Sequence, residues 1–525
     1  MTRKTCLPFA VALGMTLSLA ASTSVPAQTP TPPLPPYLAN FNAAQNWSFA
    51  PTLTSQLPGD AFTPAIGPLV QQQQFQLIQR LFDLWSWQAF LAMNWPTDSS
   101  GAPASSITGY SATYAPLWSA WHDAGEIYLP NGAKPVPCGQ PTAALQASRG
   151  RNLAAFARRN VAAPPAAAAE SRTATRVLLN VSAVGELLHG RAPAAPSKTK
   201  INEIDQAFSG PLFDQNGNPT FYEILMDNNE VGYLCANTLY NLNGQIAFSS
   251  NSANKVQFPS GTWQQNGSGA FELKLAWRIL TTSDNAARFF NMPAYVFLNN
   301  QWVQRTIGLV GLHIAHKTQN APQWIWSTFE QVDNLSVDAV ANPTGNPSYF
   351  NPNCPTCLVN IPPSGNPPVN TPVQVLRMIP IPLDKQTLNS QAQAALRAQN
   401  SVWQYYQLID TQWPTNPSAP PTPPGDNNLP QSINNKPGGN PTPVYLTNAT
   451  METYFQAGNQ NAGNMEEGGP TSSQQAFGTE SCMGCHSSAG IATSGTNLNN
   501  VNFSGQLTAD FSWLMQMKAK FATSP

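Results

Sequence analysis

The chain has 525 residues, enough to bury one large core or two to three ordinary ones. Only 10% of them are charged, against about a quarter in an average soluble chain, and the formal net charge is -1; this excludes the concentrated Lys and Arg that nucleic acid or an anionic membrane surface requires. With 42% hydrophobic residues and 14 Trp, it is a folding composition rather than a disordered one, despite 50 Pro.

At the amino terminus Arg3 and Lys4 precede an apolar run from Leu7 to Ala21, followed by the small-residue site Val25-Pro26-Ala27. This pattern predicts a cleavable signal peptide over residues 1–27 and a periplasmic or secreted protein. The run is short and rich in Ala, Ser and Thr, and no other stretch approaches bilayer length, so no membrane span is expected after its removal. Its loss takes the net charge from -1 to -3. Cys6 lies before the apolar run, where it cannot be a lipid-attachment cysteine.

Residues 28–340 read as a mixed α/β host domain, opening on a Pro-rich leader over 28–40. From Leu69 to Trp95, Phe75, Ile78, Phe82, Trp85, Phe90 and Leu91 recur near helical spacing, and Pro96 ends the pattern. Between Leu81 and Met93 nearly the whole circumference is apolar, which predicts a buried helix; Trp85, Trp87 and Trp95 suit either core packing or the wall of a cofactor pocket. Ala-rich helices are expected between Thr142 and Gly190, broken near Pro164 and Pro165. Asp214 to Asn218 reads as a turn, and Asn228 to Tyr240 as a helix with Val231, Leu234 and Leu239 inward. A sheet is expected over about 244–335, from Gln245 to Ser249, Ala270 to Leu280, Ala294 to Leu298 and Val303 to His316.

Two Pro-rich loops, 341–372 and 414–443, flank a strand and helix at 373–413, where Leu388, Ala392, Ala395, Val402, Tyr406, Ile409 and Trp413 form a helical stripe ending at Pro414. Residues 444–525 are expected to be mainly helical, with helices near Asn448 to Gln456 and from about Thr508 through Phe511, Leu514, Met515 and Met517. The fold class is therefore α+β, a mixed host domain with a C-terminal, mainly helical segment, and no internal repeat.

That last segment contains Cys482-Met483-Gly484-Cys485-His486, the C-x-x-C-H signature of c-type haem attachment. Two thiols three residues apart can each form a thioether with one porphyrin vinyl group, and the following imidazole can then reach the iron. Chance produces the pattern in this composition about once in a thousand such chains, so it is specific despite its length. It predicts one covalent haem c held by Cys482 and Cys485, with His486 as proximal iron ligand.

The remaining four cysteines beyond the leader, Cys138, Cys235, Cys354 and Cys357, allow three disulfide pairings. Cys354-Pro-Thr-Cys357 is followed by Leu358, so it is not a second haem site; it reads as a structural disulfide or a redox motif. A zinc site from Cys354, Cys357, Cys482 and Cys485 has acceptable spacing but would need four free thiols in an oxidising compartment.

The sixth iron ligand separates electron transfer from chemistry at an open iron. The chain has five His: His122, His189, His313, His316 and His486. His313 and His316 lie at the end of an apolar strand and are the main distal candidates, although three residues apart in a strand they point to opposite faces. Met515 and Met517 follow His486 by 29 and 31 residues and are further candidate ligands. Glu330, and beside it Asp333, could donate protons; the alternative is a pair of solvated acids at a sheet edge. As only 39 residues follow His486, most of the pocket must come from upstream.

Several stretches resemble large, exported, single-haem bacterial proteins of the cytochrome c family. They are Ser86 to Leu91 with Asn94-Trp95-Pro96, Gly308 to His313 with His316-Lys317-Thr318, Trp324 to Asn334, and Met451 to Gln456 ahead of the motif. The resemblance implies covalent haem on Cys482 and Cys485 with His486 on the iron, and implies no substrate. The leading expectation is single-electron transfer with a redox partner protein or a small-molecule oxidant or reductant. The alternatives are a haem-dependent peroxidase or oxygenase, and a haem-based sensor or binding protein.

Overall fold

A central antiparallel sheet carries the polypeptide. The computed structural model describes residues 53–59, 69, 71–72, 74–111, 113–139, 176–178, 211–261, 269–298, 301–318, 321, 323–335, 347–363, 371–414, 441–443, 446–456, 481–487, 489–504 and 508–522. The expected signal peptide, the Ala-rich helices around Pro164 and His189 lie outside these residues, as does most of the loop 414–443.

The main strands are β1 (His122–Asp123), β2 (Arg176–Leu178), β3 (Phe221–Met226), β4 (Phe271–Ile279), β5 (Asn291–Leu298), β6 (Gln301–His316), β7 (Ile325–Gln331), β8 (Tyr406–Pro414) and β9 (Pro441–Thr442). Their order is β9-β8-β7-β6-β4-β3-β1, with β5 on the first half of β6 and β2 parallel to β5. The sheet thus extends beyond the expected 244–335 on both sides, and β8 from the 373–413 segment is integral to it. The described residues fall in one compact unit.

The long strand β6 explains why its pattern is irregular. Ile307 and Leu309 face the same core as Leu312 and Ile314, while Val310 enters a different cluster. The pairing with β4 slips between Ala276 and Trp277, opposite Gly311 and Leu309. This bulge inserts one residue and changes the phase of the alternation.

Helix α1 (Phe75–Met93) lies across one face of the sheet and is buried all along Leu81 to Met93. Phe90 stacks on Phe329 of β7 at 4.3 Å, and the Ser86 hydroxyl lies 2.7 Å from those of Ser327 and Thr411. Burying the helix's polar groups is tolerated because they are paired: Asp83 binds Lys385 at 3.0 Å and Trp87 donates to Asn389 at 3.1 Å. Trp85, Trp87 and Trp95 are core residues on this side of the sheet, Trp95 donating its indole proton to the Ala104 carbonyl.

Four expected elements differ. Gln245 to Ser249 is not a strand but part of helix α3 (Leu242–Ser249), which follows α2 (Asn228–Ala236); the Asn241 side chain caps α3 by accepting from Gly244 N at 2.8 Å. The stripe from Leu388 to Trp413 divides into α4 (Leu383–Ala398) and strand β8, because Asn400 adopts φ 53° and ends the helix. Residues 448–456 form turns and a 3-10 helix at Thr453–Phe455, as Asn448 Oδ1 takes the Thr450 N–H at 2.9 Å and competes with helical pairing. The described residues of 444–525 contain two five-residue helices, α5 (Cys482–His486) and α6 (Leu514–Lys518), rather than longer ones. No helix among the described residues is long and apolar enough to cross a membrane.

Candidate haem-attachment site

The motif docks on the sheet face opposite α1. Strand register aligns Glu272 of β4, Ala315 of β6, Trp326 of β7 and Gln412 of β8 in one row. Directly opposed residues share a face. Gln412 Oε1 accepts from Ser481 Oγ at 3.1 Å and from Met483 N at 2.8 Å, so a side chain from a distant strand caps α5. Trp326 packs its indole against the His486 imidazole, with ring centroids 4.7 Å apart.

His486 Nδ1 lies 2.8 Å from the Phe511 carbonyl. A carbonyl only accepts, so Nδ1 carries the proton and the lone pair of the neutral ring is on Nε2. Burial first, and then the nearby Lys274 and His313, push this imidazole down to about 4, against the opposing pull of Phe511. It is therefore neutral at physiological pH, the state in which imidazole binds a metal.

The accepting carbonyl is held in place by unusual backbone. Asp510 and Phe511 have φ 47° and 70°, values that non-glycine residues adopt rarely. The buried Asp510 carboxylate is clamped by Lys317 Nζ and accepts from Phe258 N at 2.7 Å. Trp324, with φ 66°, is likewise buried in this layer and lies 6.2 Å from Trp326.

Cys482 and Cys485 take no part in a disulfide and are both half-buried, whereas Cys138 is bonded to Cys235 and Cys354 to Cys357. The zinc arrangement is thereby overturned, since two of its thiols are already consumed. Burial, with Glu452 next in effect, pushes the Cys482 thiol well up, so it stays protonated. The residues fit a c-type haem: two half-buried thiols outside any disulfide on one short helix, and an adjacent imidazole whose Nε2 holds a lone pair.

The next row on the same face is Lys274, His313 and Thr328. His313 Nε2 lies 3.0 Å from Glu452 Oε2, and its Nδ1 lies 2.9 Å from Thr328 Oγ1. The carboxylate must accept from Nε2, which leaves Nδ1 to receive the Thr328 hydroxyl proton in the neutral ring. Lys274 Nζ is 3.6 Å from Glu452 Oε1. Lys274, Thr328 and Glu452 carry no sequence signal individually; strand register and a loop contact assemble them.

His316 occupies the other face of β6. It is fully buried, stacked on Phe271 at 3.6 Å and on Trp85 at 5.2 Å, and burial pushes its imidazole well below its usual value. Glu330 pairs with Arg377 at 2.6 Å and accepts from Ala449 N at 2.7 Å; it anchors the loop carrying Glu452. Asp333 is likewise committed, bonded to Arg288 at 2.5 Å. Met515 is buried beside α3, where its carbonyl accepts from Gln245 Nε2 at 2.9 Å, and Met517 is half-buried on α6. His122 pairs with Glu126 at 3.2 Å at the sheet edge. Among these candidates, the fold groups His313 with the motif.

Comparison with family models, curated proteins and solved structures finds no match to this chain.

Proposed function

We propose that this is a periplasmic c-type haem protein, with one haem bound through Cys482 and Cys485 and His486 as proximal ligand, and that it transfers single electrons. The observation that carries the reading is the His486–Phe511 hydrogen bond, which leaves Nε2 as the lone-pair nitrogen of the residue immediately after the second motif thiol. A bound haem supplies Fe(II)/Fe(III) cycling. The chain's part is to orient the proximal imidazole through Phe511, to enclose it against Trp326, and to hold α5 on the sheet through Gln412. The resemblance of the motif and its flanking segments to exported single-haem proteins points the same way, and a redox partner protein or a small oxidant or reductant completes the reaction.

The test is the pyridine haemochrome spectrum and mass of the protein purified after periplasmic expression with haem-maturation machinery. One covalent haem per chain is expected, absent from Cys482→Ala with Cys485→Ala. Covalent haem persisting in that double variant, or none in the parent, sinks the proposal.

A second reading, a haem-dependent peroxidase or oxygenase, is favoured by the His313–Glu452 pair, which keeps a proton donor on the face that carries the motif. Carbon monoxide separates the two: a low-spin ferrous protein that refuses it favours electron transfer, and rapid binding favours catalysis.

A further inference from the structure

The same row that receives the motif places a second carboxylate problem beneath it. Glu230 of α2 is fully buried, and neither carboxyl oxygen meets a hydrogen-bond donor. What it meets is another carboxyl, that of Glu272 on β4. Two facing carboxylates, Glu230 fully buried and Glu272 half-buried, cannot both be ionised cheaply; a proton between them removes the repulsion and supplies the missing donor. Glu272 in turn accepts from Ser512 Oγ at 2.9 Å, and Ser512 directly follows Phe511, whose carbonyl holds His486.

We propose that Glu230 and Glu272 form a proton-binding site coupled to haem reduction, so that the protein carries a proton together with its electron. The inference rests on the haem reading above. Reduction adds one electron from the redox partner, and the Glu272 carboxylate gains one proton from solvent while Glu230 keeps the one already shared. Oxidation reverses both transfers, so charge near the proximal side changes little in either direction. Glu272 acts through Ser512 and the Phe511 carbonyl and is a positioning residue.

The groups facing the pair set its range. Asp227 at the start of α2 and Asp510 across from it add negative charge, while Lys317 is committed to Asp510. Lys274, next on the same face of β4, draws Glu272 toward ionisation, and the unpartnered Tyr128 hydroxyl lies close to both carboxyls. Burial is the largest influence and pushes both carboxyls upward, Glu230 further. Exchange therefore falls on Glu272.

The experiment is potentiometric titration of the holoprotein at a series of pH values spanning neutrality, for the parent and for Glu272→Gln, which keeps the shape and the Ser512 partner. The parent potential should fall as pH rises, approaching one proton per electron, and the variant should lose most of that slope. A flat parent profile, or an unchanged slope in Glu272→Gln, overturns the coupling while leaving covalent haem intact. Reduced-minus-oxidised infrared difference spectra supply a second readout: a protonated-carboxyl band gained on reduction and absent from the variant supports the site, and its absence from the parent overturns it. A protein without covalent haem fails the haem reading first, and the haemochrome assay reports that separately.

Discussion

Lys317 and Asp510 form an ion pair in which neither side chain retains solvent exposure. It joins the end of β6 to the strained turn that presents the Phe511 carbonyl to His486. Removing one partner leaves a buried, uncompensated charge. Lys317→Met is therefore expected to cost about 3–5 kcal/mol, read from urea unfolding. A loss under about 1 kcal/mol would show that the turn is held by other contacts.

Glu452 gives the protein a specific acid sensitivity. Burial acts to raise its pKa, but the neighbouring His313 and Lys274, with the hydrogen bond from His313, overcome this and hold the carboxyl down at about 2. A depressed folded-state value stabilises the fold above the ordinary carboxylate range, and that contribution is lost as pH falls through the folded value. Glu452→Gln should thus be less stable than the parent at neutral pH, with the difference shrinking as pH drops from about 4.5 toward 2. A difference that stays constant across that window would contradict the pairing.

Gly311 lies beside this pair in a place where no side chain fits. A methyl group there would overlap Thr450 Oγ1 and approach Asn448 Oδ1 at 3.1 Å. Since Asn448 N donates to Glu452 Oε2 at 2.9 Å, Gly311→Ala should push the 448–452 turn outward and weaken the His313–Glu452 contact. The expected cost is roughly 1–3 kcal/mol in overpacking. The imidazole resonances of His313 should shift, and unchanged resonances would place the strain elsewhere.

The two disulfides should contribute unequally. Cys138 and Cys235 are separated by 97 residues, Cys354 and Cys357 by 3. Loop-closure entropy makes the first worth roughly 4–5 kcal/mol and the second roughly 2. Chemical denaturation of Cys138→Ser with Cys235→Ser, compared with Cys354→Ser with Cys357→Ser, measures the contrast. Equal losses would show that loop length is not what governs them here.

How much of this was legible in advance varied with the range of the interaction. Helix α1 was readable because an apolar surface on all sides leaves few alternatives to burial, and β4, β5 and β6 were readable from β-branched alternation. Gln245 to Ser249 was not, since five residues hold too little periodicity to separate strand from helix, and the deciding contact is the Asn241 cap. Tyr406 to Trp413 failed for a related reason: its apolar spacing continues that of α4, and the break lies in the left-handed Asn400.

The sequence alone determined the candidate cofactor, because C-x-x-C-H is a contiguous arrangement whose chemistry needs no distant residue. It also determined that His313 and His316 face opposite ways, a consequence of strand geometry. Only the tertiary structure decided which of them shares the motif's face, and that His313 meets Glu452, 139 residues away in the chain. The same holds for Gln412 on α5 and for Glu230 against Glu272. These contacts depend on strand register and loop packing, and a one-residue slip in register would send every side chain of a strand to the opposite face.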